Sequence, residues 1–363
     1  MMDSRERVNN AVMRKPNDRT PYNFRSEPIV YDRIKRDRHL ASDEDVRRWA
    51  ASDVRDVGVV FAGGGYGGYS GFGWRDRDLG NGIQEDFWGV RRERVCNEGG
   101  EFIEIRQHPL SDLSFDAIRR HDWPDPRRLF DFTALPRRIR EANGLNRYWW
   151  MIEGESMFDR SWAVRGMEPF LVDMLDQPEL ADYVLERMAA FFFEYTRMIL
   201  EKADGLIDAV GIYNDLGTQG GMLISPAVYR EFVKPRQNRY IEMVKSHGAK
   251  VFYHSCGAIE PIIPDLVEIG VDILDPLQMR AMRITPEDMK RKHGKSVTLH
   301  GGLDTQGFLQ KASPAEVKDE VHHLIETLGQ GGGYILSGSH LYQADVPVEN
   351  IAAIHEANGT TSS

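Results

Sequence analysis

Cysteine is nearly missing from this chain: Cys96 and Cys256 are the only two among 363 residues. Disulfide stapling is therefore not how the fold is held. A bridge between the two is not expected in a cytoplasmic chain, which leaves Cys256 as an expected free thiol. An excess of positive charge is missing too. Lys and Arg number 46 against 56 Asp and Glu, giving a formal net charge of −10, with Arg mixed among acids along most of the sequence. That balance argues against nucleic acid or an anionic membrane as the main partner. The start, Met1 to Arg7, is charged and carries no apolar run, so no secretory signal is expected. No stretch has the length of a transmembrane helix. A cytoplasmic location follows as the expectation. Nucleotide-binding loops are absent as well. The glycine/aromatic run Gly63 to Trp74 matches neither a Gly-Lys-Ser/Thr loop nor a Gly-x-Gly-x-x-Gly turn opening a helix.

What is present is an apolar fraction of 41% and aromatics at 10%, enough for a large core. Ser4 to Met13 reads as an opening helix with Ser4 as its cap and Val8, Ala11 and Val12 on one face. Thr20 to Phe24 is a short strand candidate. Residues 58–106 read as a strand, a long excursion and a hairpin, with the glycine/aromatic loop as a mobile cover over a barrel mouth. From Tyr148 onward the pattern is regular. Strands are expected at 148–153, 206–213, 249–253, 272–275, 297–300 and 334–336. Helices are expected at 169–176, 178–202, 226–247, 261–269, 286–292, 314–328 and 347–357. Proline recurs near the first turn of these helices, where its missing N–H costs nothing. Such alternation means a parallel sheet covered by helices. The expected architecture is α/β: a single (β/α)8 TIM barrel over residues 1–363, with an N-terminal helical and loop extension and an insertion at about 58–106.

In such barrels chemistry gathers at the C-terminal ends of the strands. The run Ala249 to Tyr253 ends in His254-Ser255-Cys256, which can aim an imidazole nitrogen and a thiolate at one point. His340 follows a strand across the mouth. His254, Cys256 and His340 with one open position make a catalytic zinc set; alternatively, His340 bonds a loop carbonyl. Asp215 follows the 206–213 strand and reads either as a substrate or second-sphere ligand or as a loop acid. Asp304, in Gly301-Gly302-Leu303-Asp304, orients a substrate or caps a helix. Glu155 completes the zinc sphere or takes a proton.

The chain resembles the uroporphyrinogen decarboxylase superfamily over nearly its whole length. The resemblance rests on Arg5-Glu6-Arg7-Val8 with Pro16 to Pro21, on His108-Pro109-Leu110-Ser111-Asp112, and on Phe158 to Trp162 with Arg165-Gly166-Met167-Glu168. Its most specific part is Asn214 to Gln219, Ser225-Pro226, His254-Ser255-Cys256-Gly257 and Gly301 to Asp304, closed by Pro347-Val348-Glu349-Asn350. The resemblance implies a TIM barrel. The decarboxylases carry an Arg-Gln-Ala-Gly-Arg segment near the N-terminus; here Asn23-Phe24-Arg25-Ser26-Glu27 stands near that place, while His340 matches a decarboxylase His. The cobalamin-linked methyltransferases of the superfamily bind zinc through His-x-Cys and a later Cys. His254 and Cys256 match the first two, and His340 stands where those enzymes have the third.

The resemblance thus implies a zinc-dependent methyltransferase that exchanges a methyl group between a small-molecule donor or acceptor and a corrinoid (cobalamin) held on a separate protein. Asp215, Glu155 and Asp304 are its expected catalytic residues. A homodimer is left open. Two rivals stand beside it: a metal-free decarboxylase-like lyase using Asp215 and His340, and a small-molecule or corrinoid binder without catalysis.

Overall fold

A computed structural model describes residues 2–62, 66–67, 77–97, 100–144 and 146–359. Seven parallel strands form one sheet in sequence order: β1 (Val54–Asp56), β2 (Trp149–Glu155), β3 (Ala209–Tyr213), β4 (Lys250–His254), β5 (Ile273–Asp275), β6 (Thr298–Leu303) and β7 (Tyr334–Gly338). The eighth position is filled by the segment around Tyr22. Leu336 N–H donates to Pro21 O at 2.9 Å and Asn23 N–H to Leu336 O at 3.0 Å. On the other side Asp53 N–H donates to Tyr22 O at 2.8 Å. Residues 21–24 thereby join β7 to β1 and close the barrel, in agreement with the strand expected at 20–24.

Period-two alternation splits each strand between two cores. Trp150, Ile152, Val210, Ile212, Val251, Tyr253, Leu274 and Leu336 face outward into the helix layer. Val54, Trp149, Met151, Ala209, Phe252, Ile273 and Ile335 face inward and form a separate cluster with Val8, Ala11 and Val12 of the first helix. That helix, Ser4–Val12, lies against the apolar end of the barrel, as its amphipathic face predicts. Its cap differs from the expectation. Asp3 accepts from Glu6 N–H at 2.8 Å, while Ser4 Oγ accepts from Asn146 Nδ2 at 3.1 Å.

The outer helices largely follow the expected boundaries, including Pro178–Ala203 and Pro314–Leu328, where Ser313 and Glu316 form a reciprocal cap. The helix expected at 226–247 is interrupted. A π-turn at Tyr229–Val233 precedes Lys234–Ser246, because Pro235 has no N–H to continue the α-helical ladder. Between β1 and β2 the described residues form antiparallel strands at 77–80, 83–85, 91–97 and 100–107. The glycine/aromatic cover expected at 63–74 lies outside the described residues, apart from Tyr66–Gly67, which pairs with Val59–Val60. No described helix is long and apolar enough to cross a membrane.

Candidate metal centre

At their C-terminal ends the inward faces of the strands turn from apolar to polar. Trp149 and Met151 are followed by Glu153, Phe252 by His254, Ile273 by Asp275, and Thr298 by His300. His254 is the last residue of β4, and Cys256 stands two residues on. Asp215 stands two residues after β3, which pairs with β4 so that Tyr213 lies opposite His254. The two loops stay in contact beyond the sheet. Asn214 N–H donates to His254 O at 3.1 Å, and Ala258 N–H to Thr218 O at 2.9 Å. Leu216 N–H donates to Ser255 Oγ at 3.0 Å. Gly257 makes this approach possible. Its φ is +83°, and a Cβ there would sit 2.4 Å from Gly217 C. Any other residue would push the two loops apart.

The result is a cluster. Among the described residues, the metal-ligand atoms that gather in a set of three are those of Asp215, His254 and Cys256, all within 4.8 Å of one another. His254 Nε2 lies 3.5 Å from Cys256 Sγ and 3.8 Å from Asp215 Oδ1. Tetrahedral zinc with Zn–S of about 2.3 Å and Zn–N of about 2.0 Å separates its N and S ligands by roughly 3.5 Å. The donor set therefore fits zinc. Cys256 N–H also donates to Asp215 Oδ1 at 2.8 Å, which holds the carboxylate beside the thiol.

The far side of His254 is equally defined. Its Nδ1 donates to Asp275 Oδ2 at 2.5 Å, the carboxylate–imidazole pairing common behind metal-bound histidine. Asp275 is fully buried and also accepts from Arg25 Nη1 at 2.8 Å and from His300 Nδ1 at 2.6 Å. Burial opposes its ionisation, but the charge of Arg25 and the hydrogen bonds from His254 and His300 outweigh that and hold the carboxyl well below the usual range. Without a metal, burial works against protonation of His254, yet the bonds to Asp275 and Cys256 push its pKa up to about 10. Burial pushes the Cys256 thiol up, against the pull of His254. A metal ion would take the place of those protons.

Three expected site residues sit elsewhere. His340, the expected third ligand, lies outside the three-atom set. It stands two residues beyond β7 in a half-buried turn, and Gln278 ties that turn to the cysteine loop by donating to Ser339 O at 3.1 Å and accepting from Gly257 N–H at 2.8 Å. Its imidazole still borders the same mouth. Burial lowers its pKa, the charges of His254 and Arg25 lower it further, and Asp275 and Asp215 oppose. Glu155 does not face the mouth. β2 continues through it with a register shift after Glu153, at Gly154, where a Cβ would lie 2.2 Å from Val210 Cγ1. The shift turns Glu155 outward. Its carboxylate accepts from Met157 N–H and from Asn214 Nδ2, and it lines a separate cavity of about 220 Å³ against the helices at 178–203 and 234–246. Asp304 caps its own loop, accepting from Gln306 N–H at 2.8 Å and Gly307 N–H at 3.2 Å, with Arg280 at 3.1 Å.

Residues that the strand-end reading passed over take their place: Asn23, Arg25, Glu153, Asp159, Asp275 and His300. Asp159 Oδ1 accepts from Asp215 N–H at 3.0 Å. Burial and the Asp215 charge push its pKa up to about 7. Burial pushes Glu153 up to about 7 against the charge of Arg160. The signal that could have found Glu153, Asp275 and His300 is parity: each is the last inward position of its strand.

The sequence profile described as Uroporphyrinogen decarboxylase (URO-D) matches residues 153–360, a span that includes the whole cluster. The chain belongs to this family. Similar curated proteins are the uroporphyrinogen decarboxylases of Chromohalobacter salexigens, 24% identical over 256 residues, and of Thermus thermophilus, 26% identical over 133 residues. The matched region spans 68% of this chain and 63% of the first relative, and 37% of both chains for the second. Among solved structures, a methyltransferase from Methanosarcina mazei superposes with a TM-score of 0.69 at 14% identity, covering 99% of each chain. At that identity the likeness is one of fold.

Proposed function

We propose that this protein is a zinc-dependent, corrinoid-linked methyltransferase. The observation that carries the reading is the convergence of Asp215, His254 and Cys256 within 4.8 Å at the mouth of the barrel, with His254 backed by a buried carboxylate. Asp215, His254 and Cys256 would hold the ion. When bound, zinc supplies Lewis acidity to a substrate heteroatom, lowering the pKa of a methyl acceptor or polarising the oxygen of a methyl donor. A corrinoid on a separate protein would supply the cobalt that takes or gives the methyl group, and a methylated oxygen as donor would correspond to O-demethylation. His340 borders the substrate side of the cluster as a neutral imidazole. Glu153 and Asp159 offer half-buried carboxyl groups whose raised pKa values suit proton exchange near neutrality.

Elemental analysis with a methyl-transfer assay tests the reading. Purified protein is expected to carry stoichiometric zinc, lost in His254→Ala and Cys256→Ala, and to move a methyl group to or from free methylcobalamin. Full activity without bound metal sinks it. A second reading is a metal-free carboxy-lyase, favoured by the names of the curated relatives and by His340 and Arg25 bordering one mouth. Release of CO2 that persists after chelation would establish that alternative. Corrinoid binding with no methyl transfer would leave a binding protein.

A further inference from the structure

Four side chains from four segments, β4, β5, β6 and the segment that closes the barrel, make an unbroken hydrogen-bonded path behind the cluster. Asn23, on the segment that closes the barrel, places Nδ2 3.2 Å from His300 Nε2. His300, inside β6, places Nδ1 2.6 Å from one oxygen of Asp275. The other oxygen of Asp275 accepts from His254 Nδ1 at 2.5 Å, and Arg25 Nη1 reaches that same oxygen at 2.8 Å. Asn23, His300 and Asp275 are exposed by only 3%, 1% and 0%, so water does not substitute for any of these bonds.

The order of donors along the path is fixed by chemistry. An ionised carboxylate only accepts, so each Nδ1 that meets Asp275 carries a hydrogen. The Asn23 amide donates to His300 Nε2, which makes that nitrogen an acceptor and His300 a neutral imidazole. This assignment follows from satisfying the whole network. Arg25 already balances the charge of Asp275, and burial favours the neutral ring at His300. On His254 the same rule puts a hydrogen on Nδ1, which leaves Nε2 as the nitrogen that a metal ion would take beside Cys256. The rings are also held by stacking. Tyr213 lies over His254 with centroids 5.2 Å apart and planes at 30°. Phe252 meets His300 edge-on at 5.0 Å.

We infer that Asn23, His300 and Asp275 form a positioning relay that fixes the tautomer and ring orientation of His254, so that closure of the barrel at residues 21–25 and metal binding at His254 and Cys256 are one coupled event. The relay rests on the zinc reading above. None of its three members reaches the ion. Each acts through the next, and the relay ends on the histidine that does.

The test uses the full chain with three variants, His300→Leu, His300→Asn and Asn23→Leu. Zinc affinity is measured by competition with a chromophoric chelator, and ligand geometry by the visible absorption of the cobalt(II)-loaded protein. His300→Leu is expected to weaken zinc binding by about 10- to 100-fold and to alter the cobalt spectrum, the range typical of lost outer-sphere partners. His300→Asn, whose amide can stand in for the Nδ1 donor, is expected to recover to within about threefold of the parent, and Asn23→Leu to lose up to about tenfold. Nitrogen-15 NMR of the metal-free parent is expected to show His300 neutral with its hydrogen on Nδ1. The relay is overturned if His300 carries its hydrogen on Nε2, or if His300→Leu and Asn23→Leu bind zinc like the parent with an unchanged cobalt spectrum. A parent that binds no zinc overturns the metal reading, and the coupling falls with it. A parent that binds zinc beside unaffected variants overturns the relay alone. Should His300→Leu fail to fold, Asn23→Leu, His300→Asn and the NMR tautomer decide.

Discussion

The lower and upper halves of the barrel interior are built by the same strands and the same alternation, yet they do opposite things. Below, Trp149, Met151, Ala209, Phe252, Ile273 and Ile335 pack into a dry plug with the first helix. Above, one step further along the same faces, stand Glu153, His254, Asp275 and His300. The lower half contributes stability by removing apolar surface from water. The upper half takes ionisable groups out of water and compensates Asp275 with Arg25, His254 and His300. Two residues along a strand separate the part that holds the fold from the part that carries chemistry. Such a division lets the site vary without loss of the barrel.

The largest effect that tests this division belongs to the plug. Trp149 is 1% exposed, and Trp149→Ala is expected to cost about 3–5 kcal/mol in urea denaturation of the metal-free protein. Zinc bound per folded molecule should stay the same; a parallel fall in affinity would show that the halves are not separable. Next in size is the reverse experiment. Cys256→Ala should lower zinc affinity at least about 100-fold while moving the stability of the metal-free protein by less than about 1 kcal/mol. A collapse of that stability would mean that Cys256 belongs to the core.

A third measurement addresses the buried carboxyls at the boundary. Burial raises Glu155 to about 8 from 4.5, against the opposing donors Met157 N–H and Asn214. The folded state then binds its proton more tightly than the unfolded chain does. Stability is greatest below the unfolded pKa and falls as pH rises from about 4.5 to about 8, with a slope approaching about 1.4 kcal/mol per pH unit for one proton. Glu155→Gln should flatten this part of the curve. Equal slopes in the two proteins would show that Glu155 is ionised in the fold. The smallest effect is expected at Asp304, whose partner Arg280 has a side chain 71% exposed. Asp304→Asn should change stability by no more than about 0.5 kcal/mol and leave zinc binding unaltered.

The barrel was legible in the sequence because strand and helix periods differ and because proline and glycine punctuate them. His254 and Cys256 were legible because they break an apolar run at its end. Asp275 and His300 were not, because they lie within strands. Parity marks each as an inward position, but what each one meets depends on which strands are neighbours, and local spacing does not record that. Asn23 is further still from local reading, since it meets His300 only once the barrel has closed. Glu155 and Asp304 misled for a related reason. Both follow apolar runs, but a register shift at Gly154 turns one outward and a loop cap occupies the other. Asp215 stood as a second-sphere or substrate group, and it lies among the ligand atoms because Gly257 lets its loop approach Cys256.

The seam at Tyr22 and Leu336 also sets a schedule. A chain emerging from the ribosome presents His254 and Cys256 well before the strand at 334–338, and residues 21–24, which can meet β1 early through Asp53, cannot close onto β7 until that strand exists. Contacts this distant in sequence form late. Asn23 and Arg25 therefore reach their partners among the last events of folding. A stalled or truncated product would display the thiol and imidazole without the groups that aim them.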